Sequence, residues 1–131
     1  MTTSLKRVFI TDRVKALQGF FDKAGIVSEI PRDMIRTLWW KFMINVGINQ
    51  ASAVLNAPYG VFQSFPEARE LMESAMGEVI VLAGALKISL SIKDIEGWQA
   101  FLSSLAPTGK TSMLQDVEAG RKQRWRFLRE K

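Results

Sequence analysis

The sequence predicts an all-α fold, and three observations support that prediction. Apolar residues recur at helical spacing in several segments, and Pro, Gly and capping motifs separate those segments. No stretch of useful length alternates apolar and polar residues as a half-buried strand would. The chain has 131 residues, of which 47% are apolar and 24% charged, as expected for a globular domain with its own core. We therefore predict one helical domain over residues 1–131.

The first helix is predicted over residues 12–25. Its apolar residues fall on one stripe, made of Val14, Leu17, Phe20 and Phe21, and Gly25 provides the stop signal. The first ten residues, "MTTSLKRVFI", are predicted to form a short extended arm.

Two longer helices follow. Pro31 opens a segment over residues 31–56, which ends at the helix breaker "NAPYG". Pro66 opens the next helix, whose first turns carry acids that suit the helix dipole. This helix runs to about Leu86 and is apolar nearly all round, so we expect it to be central.

Two short helices complete the prediction. "SIKD" (91–94) has the form of a capping box before a helix that ends near "SLAPTGK". "SMLQ" (112–115) repeats that form before the last helix.

Composition excludes several kinds of chemistry. There is no cysteine and no histidine, so disulfides, thiolate catalysis and the commonest general base are absent, and we expect no metal site. The N-terminus lacks an apolar signal core, and the longest apolar run, "VIVLAGAL" (79–86), is far too short to span a membrane. We therefore expect a cytoplasmic protein without membrane contact.

The net charge of +5 belongs to the tail of the chain. Residues 1–120 contain 12 basic and 12 acidic residues, whereas residues 121–131, "RKQRWRFLREK", contain six basic residues and one acid. A basic tail with two aromatic residues could contact nucleic acid. The alternative is a solvated helix end, which we favour because no basic patch continues into the body.

A narrow polar stripe marks the predicted helix that contains "KFMINVGINQ" (41–50). On a helical wheel its polar residues share an arc of roughly 80°; they are Lys41, Asn45, Asn49, Ser52 and Asn56. Lys41 has no carboxylate three or four residues away, and Asn is a poor helix former. The stripe thus suits an anionic or carbonyl ligand, although it could equally face water or another helix.

These residues resemble those of the ketopantoate reductase (2-dehydropantoate 2-reductase) family. "KFMINVGINQASAVLNAPYG" is similar to the family helix in which asparagines follow a lysine at four and eight residues. "TSMLQDVEAGRK" (111–122) resembles the second family signature, Ser-Met-x-Gln-Asp-x-x-x-Gly-Arg. The similarity runs from about residue 11 to residue 122.

The resemblance implies the helical C-terminal domain of an NADPH-dependent oxidoreductase of pantothenate biosynthesis, like other 6-phosphogluconate-dehydrogenase-like C-terminal domains. By position, Lys41 matches the family's general acid, which protonates the ketone oxygen, and Asn45 matches the amide that orients that lysine and the substrate. Asn49 and Ser112 match the family residues that hold the substrate's hydroxyl and carboxylate ends. Residue spacing alone leaves open whether Ser112 is instead a helix N-cap with Gln115 as its partner.

Two departures from the family pattern shape the functional expectation. The sequence has no Gly-x-Gly-x-x-Gly and no βαβ pattern, so residues 1–10 would be at most the last part of a nucleotide-binding domain. After residue 121 the sequence diverges, and the family's acidic substrate ligand falls at Arg124. We expect a substrate-binding and dimerisation domain, inactive alone, that binds a small keto or hydroxy acid and is completed by a separate nucleotide-binding chain. The alternative is a stand-alone, non-enzymatic helical module that dimerises or binds a small carboxylate.

Overall fold

Seven α-helices and one π-helical turn form the part of the chain that the structure describes. The computed structural model describes residues 10–122, and no strand occurs in that range. In chain order the elements are α1 (Asp12–Lys23), α2 (Met34–Ile44), the π-turn (Asn45–Asn49), α3 (Gln50–Leu55), α4 (Tyr59–Ser64), α5 (Pro66–Ala85), α6 (Ile92–Ser104) and α7 (Ser112–Glu118). The all-α prediction is confirmed. Most of the predicted arm and of the basic tail lies outside the described residues.

The chain divides between Leu38 and Trp39 into two compact units. In the first unit, the Thr11 side chain accepts a hydrogen bond from the Val14 N–H and so caps α1. Gly25 follows the helix with a φ of +70°, which a glycine adopts without strain. α1 buries none of its residues. The apolar stripe that the sequence places on this helix therefore does not form part of a core. The single domain over residues 1–131 stays a prediction.

α2 begins three residues later than the sequence indicated. The Asp33 carboxylate accepts a hydrogen bond from the Arg36 N–H at 2.9 Å, and the Asp33 carbonyl accepts one from the Thr37 hydroxyl. Asp33 therefore caps the helix, and Pro31 lies before it.

The second unit is built around α5, which packs against the π-turn, α3, α4 and α6. The predicted central position of α5 is confirmed by its buried side chains, which include Met72 and Met76. These two meet Met43, Ile48 and Phe62, all of which are almost fully buried, in one hydrophobic core. This core fixes the helix that carries Lys41.

The sequence missed α4 and found the start of α6. Residues 56–60 were predicted only as a breaker, but Pro58 directly precedes α4 in an extended conformation that can start a helix. The capping box of α6 is confirmed, because the Asp94 carboxylate accepts a hydrogen bond from the Ser91 N–H at 2.9 Å. No helix in residues 10–122 is long and apolar enough to cross a membrane.

Candidate functional site

Lys41, Asn45 and Asn49 lie together along one wall of a cleft in the second unit. The cleft has a volume of about 360 Å³, which lies in the lower part of the range of roughly 300–1,000 Å³ typical of small-molecule sites. Trp40, Ile44 and Ile48 come from the same helix and form the apolar margins of that wall. The structure thus brings together three of the four residues that the sequence singled out.

A π-turn places the two asparagines. Residues Asn45–Asn49 form a single wide turn between α2 and α3, a feature that often marks a functional site. Gly47 lies within this turn and faces α5, where a β-carbon would come within 2.6 Å of Met76 Cγ and 3.1 Å of the Met72 carbonyl oxygen. The absence of a side chain at position 47 therefore lets the π-turn pack closely against the core helix.

The π-turn also breaks the predicted five-residue stripe. One extra residue in a helical turn rotates everything after it by about the 100° of one residue. Ser52, predicted on the stripe, is accordingly fully buried. Asn56 lies beyond the end of α3 in a left-handed conformation with φ 49°, which Asn tolerates better than most residues. The extended stripe is wrong for these two residues.

The polar wall consists mainly of hydrogen-bond donors. The Asn49 amide nitrogen donates to the Asn45 side-chain oxygen at 3.2 Å, which engages one of the two lone pairs of that oxygen. The Asn45 amide nitrogen and the exposed Lys41 ammonium make no hydrogen bond or ion pair to any residue in the described range. Lys41 is the one charged residue among those that line the cleft in residues 10–122. Such a wall matches a carbonyl or carboxylate oxygen.

The opposite wall is aromatic and comes from α4, α6 and the residue that follows α6. Its aromatic residues are Tyr59, Trp98 and Phe101, and Leu105 lies beside them. Trp98 belongs to the buried core and is only 5% exposed. Its indole ring lies next to that of Phe101, with 5.6 Å between the ring centroids and 40° between the planes.

The turn after α6 holds Tyr59 in place. The Tyr59 N–H donates to the Gly109 carbonyl at 2.9 Å, and the Gly60 N–H donates to the Pro107 carbonyl at 2.8 Å. A β-carbon at position 109 would come within 2.8 Å of the Tyr59 ring, so Gly109 allows the ring to pack against the turn. The aromatic wall is therefore preformed in this structure.

The start of α7 is tied to the helix after the π-turn. Thr111, and not Ser112, is the N-cap, because its hydroxyl accepts a hydrogen bond from the Leu114 N–H at 3.1 Å. The same hydroxyl lies 2.6 Å from the Ser52 hydroxyl, which also donates to the Asn49 carbonyl at 3.3 Å. If Thr111 donates to Ser52, all three bonds are satisfied at once, and they connect α7 to the π-turn.

Ser112 is an exposed residue at the start of α7 and does not line the cleft. The predicted capping box at residues 112–115 is wrong by one residue, since the cap is Thr111. The substrate-binding role of Ser112 stays a prediction. Arg124, the predicted site of charge reversal, lies outside the described residues.

The second signature ends in an ion pair that holds the chain after α7. The Asp116 side chain is buried, and its carboxylate accepts a hydrogen bond from Arg121 Nε at 2.7 Å. The Arg121 N–H also donates to the Asp116 carbonyl at 2.8 Å. These residues order the end of α7. Within residues 10–122, no group of three or more acidic side chains is placed to hold a metal ion.

Comparison with known protein families shows which family contains this helical domain and its cleft. Residues 33–126 match the family model described as "Ketopantoate reductase PanE/ApbA C terminal". This range contains both signatures and every residue that lines the cleft. The chain belongs to the ketopantoate reductase family.

Related ketopantoate reductase sequences cover most of this chain. It is 28% identical over 108 residues to a 2-dehydropantoate 2-reductase of Halobacterium salinarum, covering 82% of this chain and 35% of the relative. It is 35% identical over 85 residues to one of Nostoc, covering 65% of this chain and 26% of the relative. The chain thus spans about a third of the length of the curated relatives it matches.

A solved ketopantoate reductase shares the fold. The structure of a dimeric ketopantoate reductase from Staphylococcus aureus superimposes with a TM-score of 0.77 at 17% identity. The match covers 85% of this chain and 38% of that one. The helical arrangement is therefore that of the helical domain of the ketopantoate reductase family.

Sequence reasoning missed the aromatic wall of the cleft. Trp98 and Phe101 are three residues apart on a predicted helix, so their shared face could have been read from the sequence. Their position in the same cleft as Lys41 could not be read from the sequence, because it depends on how α6 packs in the core relative to the helix that contains the π-turn.

Proposed function

We propose that this chain provides the substrate-binding half of a ketopantoate-reductase-type oxidoreductase, with Lys41 as the proton donor. The observation that carries the proposal is the cleft wall of Lys41, Asn45 and Asn49, whose free groups are mainly donors. When a carbonyl carbon accepts a hydride, its oxygen becomes an alkoxide that must gain a proton. The Lys41 ammonium supplies that proton.

The two asparagines hold the substrate while the proton moves. The Asn45 amide nitrogen donates toward the carbonyl or an adjacent carboxylate oxygen, because its two hydrogens have no partner in the described range, whereas its oxygen already accepts one hydrogen bond from Asn49. Asn49 keeps a second amide hydrogen and its oxygen for a substrate hydroxyl. The substrate class that suits this pattern is a small 2-oxo acid, with the corresponding 2-hydroxy acid as product. The predicted contact of Ser112 with the substrate carboxylate belongs to the same proposal.

The hydride donor is proposed to be NADPH, by analogy with the family. The 131 residues contain no Gly-x-Gly-x-x-Gly turn, and the described range contains no strand that could precede one. These residues do not fit a dinucleotide. We propose that another segment or a separate nucleotide-binding chain holds it, and that this chain alone does not reduce ketopantoate.

We also propose that the chain forms a homodimer. The end of α5 leaves Val81, Leu82 and Leu86 exposed, and a partner subunit would cover such a patch. The related Staphylococcus aureus enzyme is dimeric. Sedimentation at micromolar concentration should show a dimer, and the variant Leu82→Glu should shift it to monomer. A folded monomer of the unaltered chain would contradict this part of the proposal.

The test of substrate binding is an NMR titration of the isotopically labelled chain with pantoate, the hydroxy acid product. We expect the side-chain amide signals of Asn45 and Asn49 to shift saturably, and Lys41→Met to weaken binding at least tenfold. The matched control is Lys93→Met, which removes an exposed lysine that does not line the cleft. Equal affinity of the unaltered chain and Lys41→Met would refute the role of Lys41.

A cofactor titration separates the catalytic proposal from its alternative. This chain should show no NADPH binding, and activity should appear only when a family nucleotide-binding domain is supplied in trans. If pantoate binds but no such domain restores turnover, the chain is a carboxylate-binding module and the reductase proposal fails.

A further inference from the structure

The cleft has two unlike walls, and only one of them is explained by a small keto acid. Lys41, Asn45 and Asn49 form the polar wall on one helix, whereas Tyr59, Trp98 and Phe101 form an aromatic wall across from it. Carbonyl and carboxylate oxygens account for the first wall. They leave the second without a ligand group to contact.

Two rings of the aromatic wall are held by packing within the chain. Trp98 is packed into the core, and the turn that contains Gly109 holds the Tyr59 ring. Rings fixed in advance lose little conformational freedom when a ligand packs against them, so their contacts contribute to affinity with little ordering cost.

One ring of the wall leaves apolar surface exposed. Phe101 is 54% exposed although its neighbour Trp98 is buried, so part of an aromatic ring in a concave site faces solvent. A group seated against this wall would cover the exposed part of the Phe101 ring.

From these contacts, and resting on the proposed function, we infer that the preferred substrate is a 2-oxo acid with an aromatic or similarly large apolar side group. Its carboxylate and carbonyl oxygens meet Lys41 and the two asparagines, and its side group packs against Phe101 and Trp98. Phe101 is thereby a specificity-determining residue. Lactate has no apolar surface of this size, and pantoate has only a small branched one that cannot stack on a ring.

The experiment compares three 2-hydroxy acids by NMR titration of the full chain: 3-phenyllactate, pantoate and lactate. We expect 3-phenyllactate to bind about tenfold more tightly than lactate, since ring contacts and burial of one ring face together supply a difference of that order. It should also bind more tightly than pantoate and shift the Trp98 indole N–H signal.

Two phenylalanine variants test the assigned contact. Phe101→Ala should reduce the preference for 3-phenyllactate to about twofold. Phe65→Ala, which removes a ring that is 57% exposed but does not line the cleft, should leave the preference unchanged. Because both rings are largely exposed, neither variant should prevent folding, which amide spectra verify.

The outcomes distinguish this inference from the proposed function. If pantoate binds in a Lys41-dependent way at least as tightly as 3-phenyllactate, the inference fails and the proposed function stands. If 3-phenyllactate binds equally well to Lys41→Met, the ring is held without the polar wall and the inference fails; the proposed function fails with it only if pantoate binding is also independent of Lys41. If none of the three acids binds the chain at millimolar concentration, both fail as well. Equal effects of Phe101→Ala and Phe65→Ala would also overturn the inference.

Discussion

The two faces of the helix that runs from α2 to α3 differ in how deeply their side chains are buried. The inner face carries Met43, Gly47 and Ile48, all buried against α5 and its neighbours, and of these Ile48 also borders the cleft. The outer face carries Lys41, Asn45 and Asn49, which contact the core little and make one hydrogen bond among themselves. Changes on the inner face should therefore alter stability, whereas changes on the outer face should alter ligand binding.

The largest effect is expected at Ile48, which is almost fully buried. Ile48→Ala should lower the free energy of unfolding by about 2–5 kcal/mol, because it removes three buried carbons and leaves a cavity. Val54→Ala on the same helix, where the side chain is mostly exposed, should change it by less than about 0.5 kcal/mol. Chemical denaturation measures both. Similar losses in the two variants would contradict the division into faces.

The next largest effect is expected at Thr111. Thr111→Val removes the cap of α7 and the hydrogen-bond partner of buried Ser52, so we expect a loss of about 2 kcal/mol. Ser112→Ala should cost less than about 0.5 kcal/mol, since Ser112 is exposed and is not the cap. Thermal unfolding compares the two. A larger loss for Ser112→Ala would show that the cap had been assigned to the wrong residue.

A smaller loss is expected at Gly47. Gly47→Ala should destabilise the chain by about 1 kcal/mol, because overpacking against Met76 costs about 1–3 kcal/mol and higher helix propensity returns up to about 1 kcal/mol. Gly77→Ala in α5, where a β-carbon meets nothing within 4 Å, should instead stabilise it by about 0.5–1 kcal/mol. If denaturation shows a loss of stability for Gly47→Ala and a gain for Gly77→Ala, the close approach of the π-turn to α5 is supported. Changes of the same sign in both variants would argue against it.

The smallest effect on stability is expected on the outer face. Asn45→Ala should change the free energy of unfolding by no more than about 0.5 kcal/mol, because an exposed Asn has low helix propensity. It should nevertheless weaken pantoate binding at least tenfold by removing an amide donor from the cleft. Gln50→Ala, an exposed neighbour that does not line the cleft, should change neither quantity. If Asn45→Ala lost stability but still bound pantoate normally, Asn45 would serve the fold and not ligand binding, contrary to the proposal.

Local sequence signals located much of the site. Lys41, Asn45 and Asn49 repeat every four residues, so any helical turn through them keeps them near one another. The sequence also shows no carboxylate three or four residues from Lys41, and no Asp or Glu lines the cleft within residues 10–122. The sequence could not show the π-turn, because one wide turn arises from packing at Gly47 and leaves no simple periodic pattern.

The sequence by itself determined the helical class, the starts of α1, α5 and α6, and the membership of Lys41, Asn45 and Asn49 in one polar group. These features depend on periodicity and capping, which act over a few residues. Tertiary structure decided that Ser52 turns inward to Thr111 and that Trp98 and Phe101 line the same cleft as Lys41. Such pairings join residues about sixty positions apart, and their positions follow from how whole helices pack around α5.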